Sequence, residues 1–309
     1  MIPMKKPVNR VKRKENLAGW AFIAPTMIAF LILTALPFFI ALFLSFAQVS
    51  YFKGWDTLKI VGFQNFIDIF QDKKFVTSLG NTFVYVVTIV PLSIILSLVF
   101  AYCMNGRIYG KKFLRMAFFI PYISSIVAVG TVFKFLFRED GIINNILLNL
   151  HILSQPIKWA MDPRFSKVPI ILLSVWASIG YQLILFTAAM QNVPVSLYEA
   201  AKLDGANEAR IFFQIVIPMS RPILVYTIIN SFLTPWTDFV VAKMILNSGV
   251  SADWTVAIGL YNMLQKALIN NYFSRFCAGG VLVAIPISVL FVIMQKFYVE
   301  GITSGAAKG

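Results

Sequence analysis

The stretch Val193–Pro222, VPVSLYEAAKLDGANEARIFFQIVIPMSRP, lies between two long apolar blocks and reads as structure rather than as a passive connection. Pro194 and Ser196 open a short helix, and Ser196 with Glu199 has the S-x-x-E spacing of a capping box, in which each side chain satisfies an orphan backbone donor. Asp204-Gly205 supplies a turn whose glycine is free to take positive φ. Asn207 is placed to cap a second helix, whose apolar positions Ile211, Phe212, Ile215 and Val216 lead back to Pro218. The spacing predicts a helix-turn-helix lying against a membrane surface.

The flanking sequence supplies the membrane. Of 309 residues, 59% are hydrophobic and only 13% charged, far more apolar than an ordinary globular chain. The apolar residues fall in uninterrupted blocks instead of patterns that turn one face to water, which excludes a soluble fold. A crossing takes about 20 helical residues, and about six blocks meet that length: Gly19–Phe46, Thr82–Met104, Phe113–Phe137, Val168–Met190, Pro222–Leu246 and Phe276–Phe297. Prolines within or at the edges of these blocks, among them Pro25, Pro37, Pro91, Pro121, Pro169, Pro235 and Pro286, mark kinks that neighbouring helices can satisfy. The expected fold is an all-α membrane protein, a bundle of about six transmembrane helices. Residues 1–18 form a basic arm, 19–298 the transmembrane domain containing 193–222, and 299–309 a tail.

The formal charge of +14 is spread along the flanks of the spans rather than gathered on one face, which argues against nucleic acid. Lys5, Lys6, Arg10, Lys12, Arg13 and Lys14 precede the first span, and Arg107, Lys111, Lys112 and Arg115 the third. Lys202, Arg210 and Arg221 belong to the helix-turn-helix, and Lys296 and Lys308 follow the last span. By the positive-inside rule these segments are cytoplasmic, as are both termini. The basic start resembles a signal peptide, but the following apolar stretch is too long for one. Cys103 and Cys277 sit in apolar blocks as two free buried thiols, and His151 lies in a polar connection without an evident catalytic partner.

EAA, three residues, Gly, nine residues, Ile, one residue, an aliphatic, then Pro resembles the signature loop of ABC importer permeases. Glu199, Ala200, Ala201, Gly205, Ile215, Ile217 and Pro218 fill it, with Ile217 where leucine is usual. The resemblance covers most of the chain and points to the carbohydrate branch. LAGWAFIAPTMIAFLILTALPFFIALFLSF and VGFQNF near the start are similar to maltose- and glycerol-phosphate-type permeases. PWTDF, WTVAIGLYNM and VEGITSGAAKG are similar to the smaller maltose-importer membrane subunit. The resemblance implies a type I permease fold and a coupling role for the loop, which docks into a cytoplasmic ABC ATPase dimer. Pure helix capping is the alternative role for Glu199. The resemblance also implies a second homologous permease subunit, an extracytoplasmic sugar-binding protein meeting the outside connections, and a bacterial inner-membrane location. The chain has no G-x-x-x-x-G-K-[ST] phosphate loop, so ATP and Mg are expected on the partner ATPase, with no cofactor on this chain.

Polar residues at membrane depth are costly and point to a pathway. Asn230, Ser231, Thr234, Trp236 and Asp238 mark the fifth block, Trp176, Tyr181 and Gln182 the fourth, and Tyr122, Ser124 and Ser125 the third. Hydroxyls, amides and aromatic faces suit a sugar, and the same groups also serve as glue between helices. For Asp238 the alternative is a charge at the outer interface near Lys243. The expected function is the permease of an ATP-driven importer for a di- or oligosaccharide. The alternatives are an ABC permease for glycerol phosphate or another polar solute, and an ion-coupled carrier.

Overall fold

The computed structural model describes residues 10–106, 109–246, 251–265 and 268–306; Lys5, Lys6, Arg107 and Lys308 of the expected basic flanks lie outside them. The first span starts as α1 (Arg10–Phe30), so the basic arm from Arg10 onward is already helical, and continues into α2 (Leu36–Ser45). A hairpin of β1 (Ala47–Ser50) and β2 (Gly54–Ile60) follows, antiparallel with Ala47 opposite Ile60. Next come α3 (Gln64–Gln71), α4 (Lys73–Asn105), α5 (Lys111–Ile123), α6 (Ile126–Leu136) and α7 (Ile142–Asn149). The central helix α8 (Lys167–Gln191) leads to α9 (Val195–Leu203), α10 (Glu208–Ile211) and α11 (Ile217–Met219). The chain ends with α12 (Arg221–Trp236), α13 (Val240–Ile245), α14 (Val256–Met263) and α15 (Ile269–Ala306).

Four segments are single helices long and apolar enough to cross a bilayer: Asn16–Ser45, Lys73–Asn105, Lys167–Gln191 and Ile269–Phe297. Two more are broken, α5 with α6 at 100° and Glu208–Met219 with Arg221–Ile245 at 76°, giving up to six spans. The third expected span is therefore interrupted rather than kinked. Pro121 cannot donate to the Ala117 carbonyl and weakens the last turn of α5, and Ser124, at ψ 154°, leaves the helix altogether. The fifth expected block likewise stops at Trp236 and restarts at Val240.

Pro37 and Pro218 are absorbed by a local device. Five-residue π-turns at Leu31–Ala35 and Phe212–Val216 each stand immediately before an X-Pro pair, Leu36-Pro37 and Ile217-Pro218. The amides of Leu36 and Ile217 reach back to the carbonyls of Leu31 and Phe212, and the wider turn relieves the ring's clash with the carbonyl four residues before it.

Helix α8 is the axis of the bundle. Of its most apolar window 44% is buried, against 6% for the first span, which leaves the first span facing outward. One core cluster joins Tyr85 and Ile89 of α4, Ile170, Leu173 and Ile179 of α8, Val241, Ala242 and Ile245 of α13, and Ile258 of α14. A Cβ on Gly180 would overlap the Phe118 carbonyl oxygen, so α5 crosses α8 with backbone against backbone. His151 ends α7: it takes φ +54°, its amide bonds the Leu148 carbonyl at 3.0 Å and the Ile152 amide the Leu147 carbonyl at 3.0 Å, a Schellman stop. That backbone role accounts for the lone histidine without any chemistry.

Gly180→Ala is expected to separate α5 from α8 and cost about 1–3 kcal/mol, the usual range for overpacking. Gly80→Ala, within α4 at a site with nothing within 4 Å of the new Cβ, is expected to hold or raise stability, by up to about 1 kcal/mol. Thermal melting of the detergent-purified protein compares the two.

Candidate functional site

The helix-turn-helix forms as the sequence predicts, but with a different start. The N-cap of α9 is Pro194, which places Ser196 within the first turn; no side chain caps the helix, and the expected capping box does not form. Glu199 is exposed and makes no hydrogen bond or ion pair with any described residue, and Ala200 beside it is exposed too. The helix ends in a Schellman motif: Gly205 sits at φ +74°, its amide bonds the Lys202 carbonyl at 3.1 Å, and the Ala206 amide bonds the Ala201 carbonyl at 2.9 Å. The spacing from Ala201 to Gly205 is thus a backbone requirement, since a side chain at that φ is strained. Asn207 then caps α10 as expected, accepting from the Arg210 amide at 2.8 Å.

The inner face of the loop is locked to the bundle. Ile211 and Val216 are fully buried among Ala101 and Met104 of α4 and Leu183, Phe186 and Met190 of α8, and Ala201 and Ile215 pack against the same cluster. Each of the two buried side chains contributes roughly 1.5–3 kcal/mol of burial. Tyr102 of α4 donates to Glu208 at 2.5 Å and packs edge-on against Phe212, with ring centroids 4.9 Å apart. That hydrogen bond and the Lys202 ammonium 3.1 Å away hold the exposed Glu208 carboxyl below the usual carboxylate range. Ile217 is half-buried and Pro218 exposed. The outer face instead presents Glu199, Ala200, Gly205 and bare apolar side chains, with Leu203 89% exposed.

A cavity of about 300 Å³ opens between α5, α6, α8, α12 and α13. Tyr122, Tyr181, Gln182, Asn230, Ser231, Thr234 and Asp238 of the expected path line it, as does Ser124. Ser125 and Trp236 do not. Ser125 is the exposed N-cap position of α6. The buried Trp236 indole instead donates to the Val283 carbonyl of α15 at 3.0 Å and stacks on Phe232. Trp176 stacks on Phe133, away from the cavity. Ser174, Ser178 and Thr227 also line it and escaped sequence reading. Their signal was present: polar positions 174, 178, 181, 182 and 227, 230, 231, 234 repeat at helical spacing on single faces of α8 and α12.

Two breaks in helix meet at this cavity, that between α5 and α6 through Pro121, Tyr122, Ser124 and Ile126 and that between α12 and α13 through Asp238, Val240 and Val241; the 76° bend between Met219 and Arg221 lies outside it. Irregular backbone at membrane depth is tolerated where it lines a wetted space. Asp238 secures the second break, accepting from the amides of Val241 at 3.1 Å and Ala242 at 3.0 Å. It makes no ion pair among the described residues, and Lys243 lies over the Tyr261 ring instead.

The polar groups divide into two kinds. Gln182 donates to Ser231 at 2.8 Å and Ser93 at 3.3 Å and accepts from Ser97 at 2.9 Å, tying α4, α8 and α12 together. The Asn230 side-chain amide has no hydrogen-bond partner among the described residues, and Tyr122 stacks on Tyr181 at 4.9 Å and 12°. Tyr181 in turn shares a 2.9 Å hydrogen bond with Tyr226. Among the described residues no group of three or more His, Cys, Asp or Glu could hold a metal ion. Cys277 is buried, but Cys103 of α4, expected to be buried, is exposed.

Residues 73–303 match the family described as binding-protein-dependent transport system inner membrane component. The chain belongs to this family. The permease is 37% identical to the probable ABC transporter permease protein YesP of Bacillus subtilis (strain 168), over 90% of this chain and 88% of that one. It is 34% identical to the lactose transport system permease protein LacF of Rhizobium radiobacter, over 93% and 95%. Its fold is that of a chain in a bacterial ABC transporter involved in import of the acidic polysaccharide alginate, with TM-score 0.76, 21% identity, and 94% and 99% of the two chains covered. The permease is therefore a type I ABC importer subunit of the inner membrane, and the ion-coupled alternative falls away.

Gln182→Leu removes three interhelical hydrogen bonds and strands the Ser231 hydroxyl, while Ser93 and Ser97 keep the Val90 and Ser93 carbonyls; it is expected to cost about 1 kcal/mol, typical of interhelical bonds in membranes. Asn230→Leu breaks no described bond and is expected to melt like the native protein. Melting curves in detergent read both.

Proposed function

We propose that the permease carries a di- or oligosaccharide across the inner membrane as one half of an ATP-driven importer. In this reading the loop Val195–Met219 is the coupling element and the cavity is this chain's part of the path. The observation that carries it is the two-sided loop. Its inner face is welded to α4 and to α8, which itself lines the cavity, while Glu199, Ala200 and Leu203 face outward without described partners. A surface of that kind, small residues beside a free carboxylate and bare apolar groups, suits docking into a groove of a partner protein.

The partner is a cytoplasmic ATPase dimer that binds ATP and Mg, since this chain has no phosphate loop. A second homologous permease completes the membrane pair, and an extracytoplasmic sugar-binding protein delivers cargo to the outside connections. The family description supports the latter by naming binding-protein-dependent transport. The lactose relative supports a saccharide cargo. Lysine and arginine on the loop and termini support a cytoplasmic loop, N-terminal arm 1–18 and tail 299–309, flanking the transmembrane domain 19–298.

ATP-dependent uptake of labelled oligosaccharides into proteoliposomes holding the assembled transporter tests this. Glu199→Ala is expected to reduce uptake. Gly205→Pro, which cannot take φ +74° and loses the amide bonded to Lys202, is expected to abolish it with membrane insertion intact. Full uptake in both variants, or uptake without the ATPase, refutes the coupling role.

A further inference from the structure

Among the described residues that line the cavity, Asp238 is the one acidic or basic side chain, with serine, threonine, asparagine, glutamine and tyrosine around it and apolar groups between. Each Asp238 oxygen accepts one backbone amide, from Val241 and Ala242, and no described cation pairs with it. A carboxylate oxygen has lone pairs beyond the one each amide uses, so the group remains an acceptor for donors entering the cavity. At membrane depth a carboxylate is expensive unless hydrogen-bonded and wetted, and the two amides and the open cavity meet both needs. The low-dielectric walls sharpen its field, which attracts hydroxyl donors and repels anions. The stacked Tyr122 and Tyr181 and the Asn230 amide, without a partner among the described residues, line the same cavity.

We infer that Asp238 sets the class of cargo: glycans bearing hydroxyls but no carboxylate, sulfate or phosphate, with two sugar hydroxyls donating to its oxygens. Polyuronates and phosphorylated polyols are turned away by the same charge. This inference rests on the sugar-import reading and narrows it. It separates this permease from the alginate transporter whose fold it shares, because that system's cargo is an acidic polysaccharide. It also removes glycerol phosphate from the candidates.

Equilibrium binding to the detergent-purified permease assembly, without binding protein so that its own selectivity does not enter, tests the inference with labelled lactose and digalacturonate as probes. The native assembly is expected to bind lactose and to reject digalacturonate. Asp238→Asn, which retains one capping oxygen for α13, is expected to weaken lactose by about tenfold, the scale of a lost hydrogen bond to a charged group. Thr234→Lys leaves that cap untouched and places an ammonium in the cavity; it is expected to admit digalacturonate. Equal binding of both glycans by the native assembly, or unchanged selectivity in both variants, overturns the role of Asp238 and leaves sugar import standing. Binding of neither glycan by the native assembly overturns the sugar reading and this inference together.

Discussion

Inside a hydrocarbon layer a backbone amide or carbonyl has no water to turn to, and every departure from continuous helix must find its partners in the protein. This constraint shapes the permease more than any single contact. Where the chain meets Pro37 and Pro218 it widens into π-turns and keeps its hydrogen bonds. Where it breaks, between α5 and α6 and between α12 and α13, the freed backbone borders the cavity, and Asp238 supplies acceptors for two of the restarting amides. The cavity and the breaks are therefore one feature, since each makes the other tolerable.

The same economy governs the loop. Gly205 closes α9 because two orphan carbonyls need donors in a left-handed turn, and Asn207 opens α10 because its first amides need an acceptor. The apolar residues then fall inward, Ile211 and Val216 into the cluster with α4 and α8, and leave the outer face small, charged and bare. In the proposed coupling role, movement imposed on that face would pass through these buried side chains into α8, whose Gly180, Tyr181 and Gln182 hold α5, α12 and the cavity wall in register. Packed cores transmit displacement instead of absorbing it.

Span number and order were legible because a bilayer demands long apolar runs and the sequence has them. The loop was legible because its turn and second cap are local, set by Gly205 and Asn207. Other features were not. Whether Pro121 kinks or breaks its span depends on partners far away in sequence, and here Ser124 leaves the helix beside an open cavity. The capping box at Ser196 failed because the spacing is silent about where α9 starts, and Pro194 starts it early. Trp236 was expected on the path by its neighbours' polarity, yet its indole turns to a carbonyl of α15, a contact that no local pattern encodes. Conversely Ser174, Ser178 and Thr227 carried a readable helical spacing, but as single small polar residues each resembled ordinary interhelical glue.

The central claim is that the loop controls access to the cavity. Its most direct measurement is the rate at which a membrane-impermeant thiol reagent labels Asn230→Cys from one side, with Cys103 and Cys277 replaced, in the assembled transporter with and without ATP and vanadate. The account predicts a labelling rate that changes between the resting and trapped states and loses that change when Gly205→Pro is added. A rate indifferent to the ATPase state, or a change that persists with the broken loop, contradicts it.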